Sequence, residues 1–153
     1  MANKETIQLV EHFEGCKLAA YECATSKSLP RDKKFWTIGW GSTFYADKKP
    51  VGEHDHITQE QADELFENLL NEFEAKVKAL VTVQLNENQL GALTSFAYNC
   101  GVGNLKSSTL LKKVNAGDFI GASQEFAKWN KSNGTVLKGL VVRRAKEAEL
   151  FLK

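Results

Sequence analysis

The chain has 153 residues, of which 42% are hydrophobic and 25% are charged, and its formal net charge is +1. This length and composition predict one soluble globular domain, and the balanced charge predicts no long-range attraction to nucleic acid or anionic membranes. The chain has no long apolar segment, and its charged, amphipathic start predicts neither a signal peptide nor a membrane anchor. We therefore expect a protein made and kept in the cytosol, without membrane insertion.

The three cysteines do not form a CxxC pair, so neither a disulfide framework nor a structural zinc site is predicted. Cys16 and Cys100 are expected to be small buried residues. The stretch Glu53-His54-Asp55-His56 could chelate a cation, but no third strong ligand is near it in sequence. A polar turn is the better interpretation, and we expect no metal and no cofactor.

The first predicted element is a helix over residues 4–14. Ile7, Val10 and Phe13 share one face of it, and Gly15 follows as a stop signal. Glu14 therefore lies on the last turn, where the negative end of the helix dipole disfavours a carboxylate. A solvated surface position and a general acid are both compatible with this placement.

Residues 16–57 are predicted to form short strands and loops, the only plausible sheet of the chain. In the stretch FWTIGWGST, bulky Trp36, Ile38 and Trp40 alternate with Thr37 and two glycines. One face of the strand is therefore cleared except for the Thr37 hydroxyl. A bend or close packing would explain this pattern, and so would a groove for a ligand in which Thr37 takes part.

The rest of the chain is predicted to be helical. Thr58-x-x-Gln61 is a capping box that opens the longest helix, with apolar residues at spacings of three and four. Further helices are predicted from a box at Asn86 through Tyr98, over 108–115, from Asp118 to Trp129, and over 139–152. These elements predict an α+β fold that is mostly helical: a small β-containing N-terminal lobe, a long connecting helix and an all-α C-terminal lobe. A cleft between two lobes is a common binding site.

An ordered set of motifs runs through nearly the whole chain. Its members are His12-Phe13-Glu14-Gly15, Leu18-Ala19-Ala20-Tyr21-Glu22-Cys23, Trp36-Thr37-Ile38-Gly39-Trp40-Gly41-Ser42-Thr43, Ser95-Phe96-Ala97-Tyr98-Asn99, Ser108-Thr109-Leu110-Leu111, and Gly139-Leu140-x-x-Arg143-Arg144-x-x-Glu147. Taken together, these motifs resemble the phage-type lysozymes, the T4-like endolysins that are muramidases of the glycoside hydrolases. The resemblance implies a lysozyme-like two-lobed fold in a single domain over 1–153, with lobes at about 1–57 and 82–153 joined by a helix at about 58–81.

The family cleaves the β-1,4 bond between N-acetylmuramic acid and N-acetylglucosamine in peptidoglycan. Its catalytic residues are a Glu, an Asp or Cys nine residues later, and a Thr before Ile-Gly. The resemblance therefore assigns Glu14 as general acid, Thr37 as the residue that positions a water, and Cys23 in the place of the usual Asp. With no second carboxylate placed as nucleophile, the expected mechanism is inverting.

This chain departs from the family pattern between the second and third catalytic positions. It has 13 residues there, from Ala24 to Trp36, where the family usually has five. We interpret the insertion as a longer polar hairpin tip, which surface loops tolerate. Cys23 is the second departure, because a neutral thiol stabilises positive charge less well than a carboxylate, and a thiolate would need a lowered pKa.

Thr43, Tyr98 and Thr109 match family positions that contact sugar, although ordinary packing would also explain them. Arg143 and Arg144 are either a solvated basic turn or, as the family suggests, the source of an ion pair with Glu14. Cys16 and Cys23 could form an inactivating disulfide after export.

The resemblance implies a partner, the glycan strands of peptidoglycan, and a role in host-cell lysis. We expect a monomer that waits in the host bacterial cytoplasm until a separate holin-type membrane protein lets it reach periplasmic peptidoglycan. Two alternatives remain: a non-catalytic peptidoglycan-binding module, which the Cys23 substitution favours, and a lytic transglycosylase, which the retained Thr37 disfavours because that reaction needs no positioned water.

Overall fold

The computed structural model describes residues 2–22, 30 and 34–153, and it has the mostly helical α+β fold that the sequence predicts. In chain order the elements are α1 (Lys4–Glu14), β1 (Lys17–Glu22), β2 (Trp36–Gly39), α2 (Gln59–Leu80), α3 (Glu87–Cys100), α4 (Val102–Ser107), α5 (Thr109–Asn115), α6 (Phe119–Glu125), a 3₁₀ turn (Phe126–Lys128), β3 (Lys131–Ser132), β4 (Thr135–Val136) and α7 (Lys138–Phe151). Among these described residues no helix is both long and apolar enough to cross a membrane.

The chain divides into two compact units. The strand unit is Glu11–Leu69, and the helical unit combines Met1–Val10 with Leu70–Lys153. Helices α1 and α2 each contribute residues to both units.

In the strand unit, β1 and β2 pair antiparallel, and the register is irregular between Lys17 and Tyr21. The segment that precedes α2 continues this pairing, because the Ile57 N–H donates to the Leu18 carbonyl at 2.9 Å. Beneath the strands, Ile38 and Phe66 are almost completely buried. The small sheet is therefore held by backbone hydrogen bonds on its edge and by apolar packing from α2.

The helical unit is built around α3, in which every residue from 91 to 97 is buried. Its largest aromatic contacts join Phe96 to Phe126 and Trp129 in edge-to-face arrangements, at centroid distances of 5.9 and 5.3 Å. Such geometry adds to the stabilisation from burial alone, because the ring edge of one aromatic faces the electron-rich face of the next.

The predicted helix caps are present. The Gln61 N–H donates to Thr58 Oγ1 at 3.1 Å while the Thr58 N–H donates to Gln61 Oε1 at 2.9 Å. Asn86 and Gln89 form the same reciprocal pair at the start of α3. Each box satisfies two backbone N–H groups that would otherwise be left unpaired at the start of the helix.

The C-terminal part of the chain differs from the prediction in two places. Helix α4 was not predicted, because Gly101 and Gly103 interrupt the apolar pattern. The prediction of an all-α lobe, with the only sheet before residue 57, was wrong, since β3 and β4 form a hairpin. Its two-residue turn is Asn133-Gly134, with φ of 51° and 79°, and this dipeptide is the strongest local signal for such a turn.

Candidate active site

Glu14 is the last residue of α1 and is half-buried. Gly15 follows with φ of 66°, a left-handed conformation that glycine adopts without strain, and its N–H donates to the Glu11 carbonyl at 3.3 Å. The helix therefore stops where the sequence predicts. The chain then turns directly into β1, which begins at Lys17.

Thr37 lies on β2 and is only 6% exposed. Its partner across the ladder is Tyr21, and two residues further along β2 Gly39 pairs with Lys17. Because Lys17 is the third residue after Glu14, chain connectivity keeps the end of α1 within about 11 Å of that end of the ladder. Glu14 thus ends the helix that leads into β1, and Thr37 lies on the strand that pairs with β1.

The cleared face of β2 is not open at Gly39. A Cβ there would lie 3.5 Å from Ile57 Cδ1 and 3.6 Å from Ala62 Cβ, so the position is already in packing contact with residues at the start of α2. Of the alternatives that the strand pattern leaves open, close packing therefore holds at this residue. Gly39 is required by its left-handed φ of 64°, with which the chain begins the turn after β2.

The turn after β2 is held at both ends. Ile38 and Ser42 exchange backbone hydrogen bonds of 2.8 and 3.0 Å. Trp40 Nε1 donates to Asp63 Oδ1 at 2.9 Å, and its ring centroid lies 5.7 Å from that of Phe66. The turn is thus attached to α2 by one polar and one aromatic contact, which fixes the strand that carries Thr37.

Cys23 directly follows the last residue of β1 and lies outside the described residues, as does most of the predicted hairpin-tip insertion. At the margins of that insertion, Lys34 forms an ion pair with Glu22. The assignment of Cys23 to the site stays a prediction from the sequence.

Thr43 lines a cavity of about 370 Å³ in the strand unit. Three aromatic side chains, Phe35, Trp36 and Phe44, also line this cavity, and Phe35 and Phe44 are more than half exposed. Volumes of this size and aromatic walls are typical of small-ligand sites. Sequence reasoning selected Thr43 but not the rings around it, because alternation along one strand does not show what a neighbouring loop adds.

Tyr98 and Thr109 belong to the helical unit. Tyr98 is half-buried on α3, with its ring centroid 5.2 Å from that of Phe73. Thr109 is the exposed first residue of α5, directly after the N-cap Ser108. Packing against Phe73 therefore accounts for one side of the Tyr98 ring, whereas Thr109 presents its side chain to solvent.

Arg143 and Arg144 are buried and are not a solvated turn. Arg144 Nε lies 2.7 Å from Glu147 Oε1, although out of line for a hydrogen bond, and Nη2 donates to Asn99 Oδ1 at 2.8 Å. Arg143 donates to the Ser95 carbonyl at 3.3 Å. Burial raises the pKa of Glu147, and Arg144 in particular opposes this rise. The pattern of an arginine three or four residues before a glutamate could have revealed this partner from sequence.

The two described cysteines are free thiols and are half-buried rather than fully buried. Cys100 accepts a hydrogen bond from Arg144, yet burial outweighs this cation and raises the pKa of the thiol. Cys16 accepts a hydrogen bond from Gln59 Nε2 at 3.7 Å. The expectation of simple buried packing residues therefore holds only in part.

The acidic and histidine-rich stretch before α2 is a structural turn. Asp55 Oδ2 accepts from the Tyr45 hydroxyl at 2.6 Å and from the Gly52 N–H at 2.7 Å. Burial and this carboxylate raise the pKa of Tyr45 to about 12. Within the part of the chain that the structure describes, no three His, Cys, Asp or Glu side chains are grouped to hold a metal ion.

The comparisons with known proteins agree with this fold. The family model for phage lysozyme matches residues 11–147, and the chain belongs to the phage lysozyme family. It is similar to the endolysin of Salmonella phage P22, at 35% identity over 95% of this chain and 94% of that protein. It is also 44% identical to the endolysin of Bacillus phage B103 over 95% of this chain.

Solved structures show the same fold. The chain superposes on the endolysin from Escherichia coli O157:H7 phage FAHEc1 with a TM-score of 0.85 and 30% identity, covering 100% of this chain and 94% of that one. For a variant of P22 lysozyme the TM-score is 0.83, with 30% identity over 100% and 99% of the two chains. The chain spans about half (52%) of the length of the Bacillus phage relatives that it matches.

Proposed function

We propose that this protein is a muramidase that hydrolyses the β-1,4 bonds between N-acetylmuramic acid and N-acetylglucosamine in peptidoglycan during host lysis. The observation that carries the proposal is the match of this chain to the phage lysozyme family. It is supported by the place of Glu14 at the end of the helix that leads into β1 and by the buried position of Thr37 on β2, the partner strand of β1. A single lysozyme domain, with lobes at about 1–57 and 82–153 and a connecting helix at about 58–81, is part of this proposal.

Glu14 is the proposed general acid. A carboxylic acid that protonates the glycosidic oxygen lets the sugar leave as an alcohol while positive charge develops on the ring. The rigid helix end and the left-handed Gly15 support this role, because they fix the backbone from which the side chain projects.

Thr37 is proposed to hold the attacking water. Its near-complete burial and its place in a ladder restrict the hydroxyl to few orientations, which a water-positioning group needs. Cys23 takes the third catalytic position in the proposal, on the evidence of its spacing from Glu14 alone. The aromatic cavity beside Thr43 supports sugar contact in the strand unit, and contacts of Tyr98 and Thr109 with the glycan complete the proposed substrate-binding set.

The test compares wild type with Glu14→Gln on purified peptidoglycan and on outer-membrane-permeabilised Gram-negative cells. We expect wild type to clear turbidity and release reducing N-acetylmuramic acid ends, and the variant to lose about 10²-fold or more of the rate, the usual contribution of a general acid. Equal rates would contradict the assignment of Glu14. Non-reducing anhydro ends would identify a lytic transglycosylase, and wall binding without turnover would identify a non-catalytic module, the alternative that Cys23 favours.

The anomer of the first product tests the mechanism. Without a second carboxylate as nucleophile, water attacks the face of the sugar opposite the leaving group, and the configuration inverts. We expect NMR at early times to show the α-anomer at the new reducing end. A β-anomer that precedes mutarotation would establish retention instead.

The biological setting is proposed from the family. We propose a monomer held in the host cytoplasm that reaches periplasmic peptidoglycan once a separate holin-type protein has permeabilised the membrane. Gel filtration of the pure protein and lysis assays with and without a co-expressed holin test the two parts of this proposal separately.

A further inference from the structure

We propose that the helical unit carries a surface that binds anionic lipid bilayers peripherally. The surface consists of Lys131, Val136, Leu137, Lys138 and Val141, and is called the hairpin surface below. It contains none of the residues assigned to catalysis or sugar binding, so this inference does not depend on the muramidase activity.

The backbone brings these side chains together. Lys131 and Val136 are direct partners in the β3–β4 ladder, so their side chains project from the same face of the hairpin. Leu137 is the N-cap residue of α7, and the Val141 N–H donates to its carbonyl at 3.0 Å, which ties Leu137 to the first turn of the helix. The two-residue Asn133-Gly134 turn keeps the hairpin short and defined.

The apolar members of the hairpin surface are exposed to an unusual degree. Val136 is 52% exposed, Leu137 44% and Val141 42%. Val136 and Leu137 are consecutive in the chain, and Val141 is joined to Leu137 by a backbone hydrogen bond. Exposed aliphatic side chains lose contact with water only when another apolar phase covers them.

The charge around these side chains has one sign. Between Glu125 and Glu147 the sequence has no Asp or Glu. Of the six basic residues there, Lys128, Arg143, Arg144 and Lys146 form ion pairs with Glu125, Glu147 or Glu149. Lys131 and Lys138 form no ion pair with the residues that the structure describes, so their ammonium groups face solvent. The hairpin surface therefore carries two positive charges that the described residues do not neutralise.

The combination of exposed lysines and exposed aliphatic side chains indicates which kind of partner the surface would bind. Exposed lysines attract a negative surface, but a soluble polyanion would leave the aliphatic side chains in water. An anionic bilayer satisfies both, because its headgroups pair with the ammonium groups while the acyl boundary receives short apolar side chains. The binding is interfacial, and no part of the chain needs to span the membrane.

Sedimentation with vesicles tests the proposal. Wild type is expected to bind vesicles of equal parts phosphatidylglycerol and phosphatidylcholine, and not pure phosphatidylcholine. Lys131→Gln with Lys138→Gln, and separately Val136→Ser with Leu137→Ser, should each weaken binding about tenfold or more. The matched controls are Lys106→Gln with Lys112→Gln, which remove the same charge from exposed positions on α4 and α5, and Ile120→Ser, which removes an aliphatic side chain that is 69% exposed. Both controls should bind within about twofold of wild type.

Several outcomes would overturn the proposal. One is that wild type does not bind the anionic vesicles. Another is that the hairpin variants and their matched controls lose binding equally, which would indicate electrostatic attraction spread over the whole protein surface. If the hairpin variants bind vesicles normally but lose affinity for purified peptidoglycan, the surface instead binds acidic stem peptides. Circular dichroism of each variant shows that it is folded before binding is compared. Because vesicles contain no glycan, failure here leaves the muramidase proposal unaffected.

Discussion

At the scale of single residues, the hydroxyl of Thr37 carries the most specific chemical claim. The residue is buried on a short strand whose following turn is fixed by Trp40 and Asp63. Packing alone would accept any β-branched side chain of the same shape. The proposed water-positioning role requires the oxygen, so shape and hydroxyl can be separated by substitution.

We expect Thr37→Val to lower kcat at least tenfold, while Thr37→Ser keeps kcat within about threefold of wild type. Valine preserves the shape and removes the hydroxyl, whereas serine preserves the hydroxyl and removes a methyl group. Kinetics on a soluble peptidoglycan fragment would show whether the loss is in kcat or in KM. Equal activity of wild type and the valine variant would exclude a role for this hydroxyl.

At the scale of elements, the approach of helix α1 to helix α3 depends on one glycine. A Cβ at Gly91 would lie 1.8 Å from Oγ1 of the fully buried Thr6. Thr6 in turn donates to Asn3 Oδ1 at 2.7 Å, so it is not free to move away. At this contact α3 therefore presents only the backbone of Gly91 to the Thr6 side chain of α1.

Gly91→Ala should lower the free energy of unfolding by about 1–3 kcal/mol, because the added methyl group forces the helices apart. Gly103→Ala is the matched control, since that helical glycine has nothing within 4 Å of its Cβ position. The Gly103→Ala variant should gain up to about 1 kcal/mol in free energy of unfolding, because alanine has the higher helix propensity. Urea denaturation measures both, and equal stability of the two variants would show that the contact relaxes without cost.

A second element-scale feature is a group of three carboxyl groups between α1 and α2. Burial, followed by the charges of Asp63 and Glu67, raises the pKa of Glu11 above 4.5. Folding therefore favours the protonated form of this side chain. Its contribution to stability is complete below the unfolded-state pKa and is lost as the pH rises through the higher folded-state pKa.

Glu11→Gln should consequently melt at a higher temperature than wild type at pH 7, and this advantage should shrink towards pH 4.5. Asp63→Asn, which keeps the oxygen that accepts from Trp40, tests the coupling in a double-mutant cycle. We expect the two substitutions to be less than additive at pH 7. Thermal unfolding monitored by circular dichroism gives all four melting temperatures, and strict additivity would mean that the charges do not interact.

At the scale of the whole molecule, much of the fold could be predicted because local signals and the global fold agree. The capping boxes at Thr58 and Asn86 mark helix starts, and the stop at Gly15 places Glu14 on a helix end. These features depend on neighbouring residues only. Membership of the phage lysozyme family follows from the order of the motifs along the chain.

The features that could not be predicted depend on residues far apart in sequence. The contact of Gly39 with Ile57 and Ala62 closes a space that strand alternation alone left open. The aromatic wall near Thr43 combines two separate segments, and buried Arg144 on α7 donates to Asn99 on α3. Single-strand or single-helix patterns contain no information about such contacts.

The turn of the β3–β4 hairpin has a chemical consequence for the ageing of the protein. An asparagine followed by glycine is prone to deamidation, because the unhindered glycine nitrogen can attack the side-chain amide carbon, expel ammonia and form a succinimide. Asn133 and Gly134 are both exposed. Hydrolysis of the succinimide would leave an aspartate or isoaspartate as the first acid between Glu125 and Glu147. Stored protein would then gain a negative charge at the tip of the hairpin at the rate of a spontaneous reaction, without any change in its gene.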